Sequence, residues 1–415
     1  MVQSSSVLKI CCVSKYATPP IYGAGSRLFH LASNFQKCGH QTTLITSDAN
    51  HLSSFPNTAK TYNYEKILDT KVCWIKTKKY KRTASLSRVL SWLDFEIKLF
   101  FMPTRFFAKP DVLIVSSLSL FSIIYGYYLK LRFGCKLIFE IRDIWPLTMT
   151  EEGGFSNWHP LVIVMGIVEK FGYRKADLIV GTMPRLNEHI HERLGVGRPF
   201  FCSPLGFDET RAKPIPKERE MALASHFPEG KIIVGYCGSM GISNALETFI
   251  ECIERLGPHS KVHFVLVGEG DLKEKFMKDL EQKKNVTFVP RIPPAEVPHF
   301  LDLCDILYLS THDSKVWKFG QSMNKFVEYM LAAKPILATY SGFPSMLNES
   351  KAGDFVQPND QNLLEAAILK YTSMESAERA SVGAKGRRWV LQNRSYKQLA
   401  EDYLLQMEQL VEQVD

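Results

Sequence analysis

The stretch KFGQSMNKFVEYMLAAKPILA, residues 318–338, sets Lys325 and Glu328 three positions apart where an apolar run begins. The small polar residues Ser322 and Asn324 suit a helix start, whose bare N–H groups carry partial positive charge. A lysine in the first turn adds a full charge, and together these make a site for an anion such as a phosphate. Glu328 lies close to the same helical face and offers a hydrogen-bond acceptor. The pattern also fits a solvated Lys325 paired with Glu328.

Glycine loops at strand ends point the same way. In KYATPPIYGAGSRLFHLASNF, Pro19 and Pro20 delay the helix, while Gly23 and Gly25 let backbone approach a ligand before a helix starts near Ser26 and Arg27. In the second half, Gly238-Ser239-Met240-Gly241 follows one strand-like run and Gly268-Glu269-Gly270 the next. Each alone fits an ordinary strand-to-helix turn. Three of them across two half-chains favour a nucleotide sugar or similar anionic ligand.

These residues need elements to hold them. Apolar strand-like runs alternate with helical patterns, as in parallel α/β sheets. The first series comprises residues 7–14, 41–47, 112–117, 136–143 and 177–182; the second comprises a run from Lys231, then 261–271, 285–290, 305–311 and 335–340. A Pro- and charge-rich linker, residues 203–220, separates them. The expected fold is α/β, with two doubly wound Rossmann-like domains facing a central cleft. Residues 1–203 form the first, which binds the acceptor, with a C-terminal helix at about 393–415 packing back on it. Residues 204–392 form the second, which binds the donor.

Composition agrees with a soluble, two-domain chain: 415 residues, 45% hydrophobic and 23% charged. No run approaches bilayer length and the N-terminus reads as a strand, so a cytoplasmic address is expected. The nine cysteines show no CxxC pair, and neither a metal nor another cofactor is expected. The net charge of +8, with pI ≈ 8.9, suits nucleic acid, an anionic membrane surface or a phosphorylated substrate.

The glycine loop with Arg27, then YCGSMGISNALETFIE, FVLVGEGDLK, NVTFVPRIPPAEVPHFLDLCDILYLS and SMNKFVEYMLAAKPILATYSG, occur in an order that resembles the family 4 glycosyltransferases of the GT-B fold. The similarity is greatest to bacterial O-antigen and capsule enzymes of the L-fucosamine transferase type; EIRDIWPLT and RKADLIVGTM support it. It implies retaining, metal-independent transfer of a sugar, of the N-acetylated amino class, from a nucleotide diphosphate donor, with UDP expected. It also implies a polyprenyl-diphosphate-linked or saccharide acceptor and a place in surface polysaccharide synthesis. The resemblance makes Lys325 a diphosphate ligand and Glu328 an acceptor for the ribose hydroxyls. The donor set comprises Gly238, Ser239, Gly241, Asn244, Gly268, Gly270, Arg291, Gly320, Ser322 and Asn324 besides these two. Gly23, Gly25, Ser26 and Arg27 form an acceptor or phosphate loop.

Two departures stand out. The family's second Glu, eight positions before Glu328, is Gly320 here, so backbone N–H groups from Gly320 to Ser322 are expected to replace it. The Arg and Lys usual after the first glycine loop of the second half are also missing, leaving Lys318 or Arg291 to assist Lys325. A GT-B epimerase of the UDP-N-acetylglucosamine type and a non-catalytic nucleotide-sugar-binding subunit are the other readings.

For the chemistry, Asp143 ends a strand where it can accept the acceptor's proton, and Arg142 can hold an acceptor phosphate. A structural Arg142–Asp143 pair is the alternative. His159 is a second base candidate. From Lys71 to Pro110, ten Lys or Arg and two acidic residues interleave with aromatics including Trp74, Tyr80, Trp92, Phe95, Phe106 and Phe107. This segment predicts contact with an anionic membrane surface, placing the protein on the inner face of the cell membrane. No nucleic-acid motif accompanies it, and no nucleic-acid partner is expected.

Overall fold

The computed structural model describes residues 7–23, 25–49, 55–56, 58–80, 86–103, 109–208, 214–257 and 261–412. The chain divides into two compact units, Met1–Gly206 with Tyr396–Asp415, and Phe207–Ser395.

The first unit contains β1 Lys9–Val13, β2 Gln41–Ser47, β3 Tyr62–Ile67, β4 Thr70–Ile75, β5 Val112–Ser116, β6 Lys136–Ile141, β7 Leu178–Gly181 and β8 Phe200–Cys202. Their order is β3-β4-β2-β1-β5-β6-β7-β8, parallel except for β3, which runs antiparallel to β4. Continuous apolar runs such as VLIVS in β5 are buried along their whole length, as a sheet covered on both faces requires. The final helix, Tyr396–Glu412, returns to this unit and packs on the helix Arg27–Lys37. The Tyr396 ring stacks on His30 at 4.8 Å, and buried Tyr403 meets Phe35 edge-on at 5.7 Å.

The second unit contains β9 Ile232–Cys237, β10 Val262–Val267, β11 Val286–Val289, β12 Ile306–Ser310, β13 Ile336–Thr339 and β14 Gly353–Val356. The order β11-β10-β9-β12-β13-β14 is wholly parallel. Chain direction across the sheet reverses between β9 and β12, so their following loops part there and leave a crevice at the strands' carboxyl ends. Together the two sheets fit a GT-B architecture of Rossmann-like units.

One expectation for residues 71–110 needs correction. Trp74 lies in β4 at 1% exposure and Phe95 is wholly buried, so both are core residues and not surface aromatics. Lys81, Arg82, Arg105, Phe106 and Phe107 lie outside the described residues.

Candidate functional site

In the second unit, the helix Asn324–Leu331 begins after an extended Met323, whose own side chain makes no capping hydrogen bond. One turn earlier, the buried Gln321 side chain accepts a hydrogen bond from the Met323 N–H at 3.0 Å, fixing the chain's entry into the helix. Lys325, in the first turn, reaches the β9 loop. Its ammonium donates to the Tyr236 hydroxyl and to Asn244 Oδ1, each at 3.0 Å, and sits 4.5 Å from the centre of the Tyr236 ring. Tyr236 in turn donates to the Ser239 carbonyl at 2.6 Å. Ser310, the last residue of β12, donates to the Asn244 carbonyl at 2.6 Å. The loop after β9, the end of β12 and the helix start are thus tied together at the switch point.

The direct partners of Lys325 are neutral oxygens, and no carboxylate lies within ion-pair distance among the described residues. The surface pair with Glu328 is therefore not formed. Burial lowers the Lys325 pKa to about 8, opposed by Cys237 and Glu328. Burial, and after it Glu328, half-buried one turn further along the helix, pushes the Cys237 thiol up to about 12, opposed by Lys325. Tyr329 fixes the end of β9, accepting from the Cys237 N–H at 3.1 Å.

The glycines in this region have a specific steric cause. A Cβ on Gly238 would lie 2.5 Å from Lys325 Nζ, so a larger residue there would displace the ammonium from its present position. A Cβ on Gly268 would collide with the Gly238 carbonyl, and one on Gly270 with the Met240 backbone. Gly268 and Gly270 thus let the β9 and β10 loops lie backbone to backbone, bonded Met240 N–H to Glu269 C=O at 2.9 Å. Sequence alone assigned that closeness to a ligand.

The other donor candidates separate. Ser239 and Asn324 are exposed, while Gly241, Asn244 and Ser322 are half-buried. Arg291 and Lys318 are exposed, and the Lys318 ammonium lies 5.4 Å from the Phe319 ring centre. Gly320 is buried at a positive φ of 94°, and its N–H is spent on the Trp317 carbonyl at 2.9 Å. It therefore does not serve as a free donor in place of the missing Glu. Tyr236, Ser310 and Gln321 were not singled out from sequence. A tyrosine two residues before Gly238 was the available signal.

In the first unit, Gly25 adopts a φ of 88° and its carbonyl receives the Thr18 N–H at 3.5 Å. Gly23 is half-buried with φ 151°, and Ser26 precedes the helix without capping it through its side chain. Arg27 departs from expectation. At 2% exposure it donates to Glu140 at 2.7 Å, to the Ser203 carbonyl and hydroxyl at 2.6 and 2.8 Å, and to the Pro204 carbonyl at 3.3 Å. Its donors are consumed internally, so it ties the helix start to β6 and the chain after β8 instead of facing a phosphate.

Asp143 and Arg142 follow β6, held by Ser117, whose hydroxyl accepts from the Arg142 N–H at 3.0 Å and donates to the Asp143 carbonyl at 3.3 Å. Neither side chain has a hydrogen-bond or ion-pair partner among the described residues, which removes the structural pair. Burial raises the Asp143 pKa above the usual carboxylate value, opposed by Arg142. Arg142 is shifted downward by burial and then by Arg27. His159 instead caps the helix Pro160–Lys175, its Nδ1 accepting from the Leu161 N–H at 3.2 Å. Among the described residues, no group of three or more His, Cys, Asp or Glu side chains is placed to hold a metal ion.

Residues 231–373 match the family model for Glycosyl transferases group 1. No curated protein sequence matches the chain. Among solved structures, sucrose-phosphate synthase from Thermosynechococcus elongatus is similar over 98% of this chain and 99% of that one, with 17% identity and a TM-score of 0.71. The E. coli trehalose-6-phosphate structure bound with UDP-2-fluoro glucose gives 97%, 99%, 13% and 0.71 for the same measures. Anabaena HepE in complex with UDP and glucose gives 97%, 100%, 14% and 0.65.

Proposed function

We propose that the protein is a glycosyltransferase that takes a sugar from a UDP-linked donor and transfers it with retention and without a metal ion. The observation carrying this reading is the Lys325 ammonium, held by Tyr236 and Asn244 in the first turn of a helix at the sheet's switch point. A cation with only neutral direct partners, set in the first turn of a helix, suits a diphosphate, both on binding and as it departs. Glu328 supplies the ribose acceptor. The match of residues 231–373 supports the class of reaction, and the UDP-bound structural relatives support the nucleotide.

Asp143 is the proposed proton acceptor for the attacking hydroxyl, since its carboxylate has no partner among the described residues and a raised affinity for a proton. Arg142 beside it is the proposed phosphate contact for the acceptor. The N-acetylated aminosugar, the polyprenyl-diphosphate-linked or saccharide acceptor and the role in O-antigen or capsule synthesis rest on the sequence resemblance. A panel of UDP-, GDP- and dTDP-sugars, scored for binding and donor hydrolysis, tests the donor. Product without acceptor would favour an epimerase, and donor affinity without hydrolysis or transfer a binding subunit.

The proton role has its own test. Asp143→Asn keeps the shape and is expected to leave UDP affinity intact while transfer falls about 100-fold or more. Steady-state transfer assays check this, and near-normal turnover would remove Asp143 from the reaction.

A further inference from the structure

We propose that one helical layer of the first unit docks on an anionic lipid bilayer. The proposal deepens the lipid-linked-acceptor reading by naming the surface that would bring the protein to such a substrate. Three crossovers, β4 to β5, β5 to β6 and β6 to β7, proceed in the same direction across the sheet through the helices Leu86–Phe100, Ser122–Phe133 and Pro160–Lys175. Right-handed connections place all three on one face, opposite Arg27–Lys37. They pack side by side: Phe100 lies 5.9 Å from Tyr128, and Tyr127 meets Phe171 edge-on at 5.3 Å.

A soluble protein's helix layer normally turns polar side chains outward. Here each helix exposes an apolar stripe at helical spacing. Val89, Leu90, Leu93 and Ile97 form the first, continued by Phe100 and by Phe101 at 73% exposure. Ile124, Tyr128 and Leu131 form the second. Ile163, Val164 and Ile167 form the third, preceded by Trp158 at 85% exposure. Adjacent stripes on neighbouring helices make an apolar patch that calls for a partner.

Charge identifies that partner. The middle helix carries no acid; its Lys130 is paired with Asp177, which leaves Arg132, and the third helix adds Lys170, Arg174 and Lys175. Its one acid, Glu169, is buried against His189 and Arg193. On the first helix, Asp94 is paired with Lys98, and Glu96 accepts hydrogen bonds from Ser122. An apolar face with cations and internally satisfied acids suits anionic headgroups above acyl chains, whereas a second copy would oppose like charges. No described helix is long and apolar enough to cross a membrane, so the layer would lie on the bilayer surface.

The full chain is sedimented with phosphatidylcholine vesicles and with vesicles that also contain phosphatidylglycerol. Stronger binding to the anionic vesicles, only partly reversed by salt, is expected. The double variants Leu93→Ser/Ile97→Ser and Ile163→Ser/Ile167→Ser should each reduce binding about 10-fold or more, with UDP affinity and thermal unfolding unchanged. Equal binding to both vesicle types, no binding, or full binding by both variants would overturn the proposal. So would a wild-type dimer that the same substitutions abolish. Vesicle binding without UDP binding would instead overturn the glycosyltransferase reading and leave the docking surface standing.

Discussion

Arg27 and Lys325 are both cations beside the carboxyl end of a parallel sheet, yet their partners give them opposite roles. Arg27 is joined to a buried carboxylate and to three further oxygens, whereas Lys325 meets two neutral oxygens. Arg27→Leu would strand the Glu140 charge in the core, and a stability loss of about 3–5 kcal/mol is expected. Denaturant unfolding measures it; a loss as small as that of a surface ion pair would contradict the buried-pair account. For Lys325 the prediction concerns pH. Burial has brought its pKa down to about 8, so its charge is lost as pH rises through that value, well before an exposed lysine would lose its own. Bound phosphate favours the charged form, so UDP affinity should weaken above about pH 8 by up to about 10-fold per unit. Calorimetric titrations across that range check it, and Lys325→Ala should remove the dependence.

At the scale of elements, the ten strands read from sequence all appear, because buried parallel strands are continuous apolar runs with turn residues at both ends. The strands that escaped are of another kind. β3, YNYEKI, is only partly buried and pairs with β4 at the sheet edge, and β8 and β14 are only three and four residues long; β4, TKVCWI, is buried but was read as part of a basic, aromatic surface segment. Lys325 was legible because a lone cation precedes an apolar helix, but Tyr236 looked like any strand aromatic. The internal commitment of Arg27 was hidden because Glu140 and Ser203 are distant in sequence. The final helix is the most distant in sequence of all, and its anchor is Tyr403, wholly buried between Phe35 and Phe201. Tyr403→Ala should cost about 3–5 kcal/mol. Chemical unfolding tests this, and a loss comparable to that of an exposed tyrosine would show the helix to be dispensable for the first unit.

Over the whole molecule, chemistry is distributed between two units with separate cores. The proposed base and its neighbour, Asp143 and Arg142, belong to Met1–Gly206 with Tyr396–Asp415, and the proposed donor residues to Phe207–Ser395. Each sheet has its own reversal of strand order, so each unit possesses a crevice built by topology before any side chain is chosen. What distinguishes the second crevice is an ammonium with no ion-pair partner among the described residues and a carboxylate one turn beyond it. The central claim is that Lys325 and Glu328 bind UDP, and calorimetric titration of UDP into the wild type, Lys325→Ala and Glu328→Ala tests it most directly. Measurable binding by the wild type is predicted, weakened by about 1.5–3 kcal/mol in each variant, the scale of a hydrogen bond to a charged group. Failure of the wild type to bind UDP, or undiminished affinity in both variants, would contradict it.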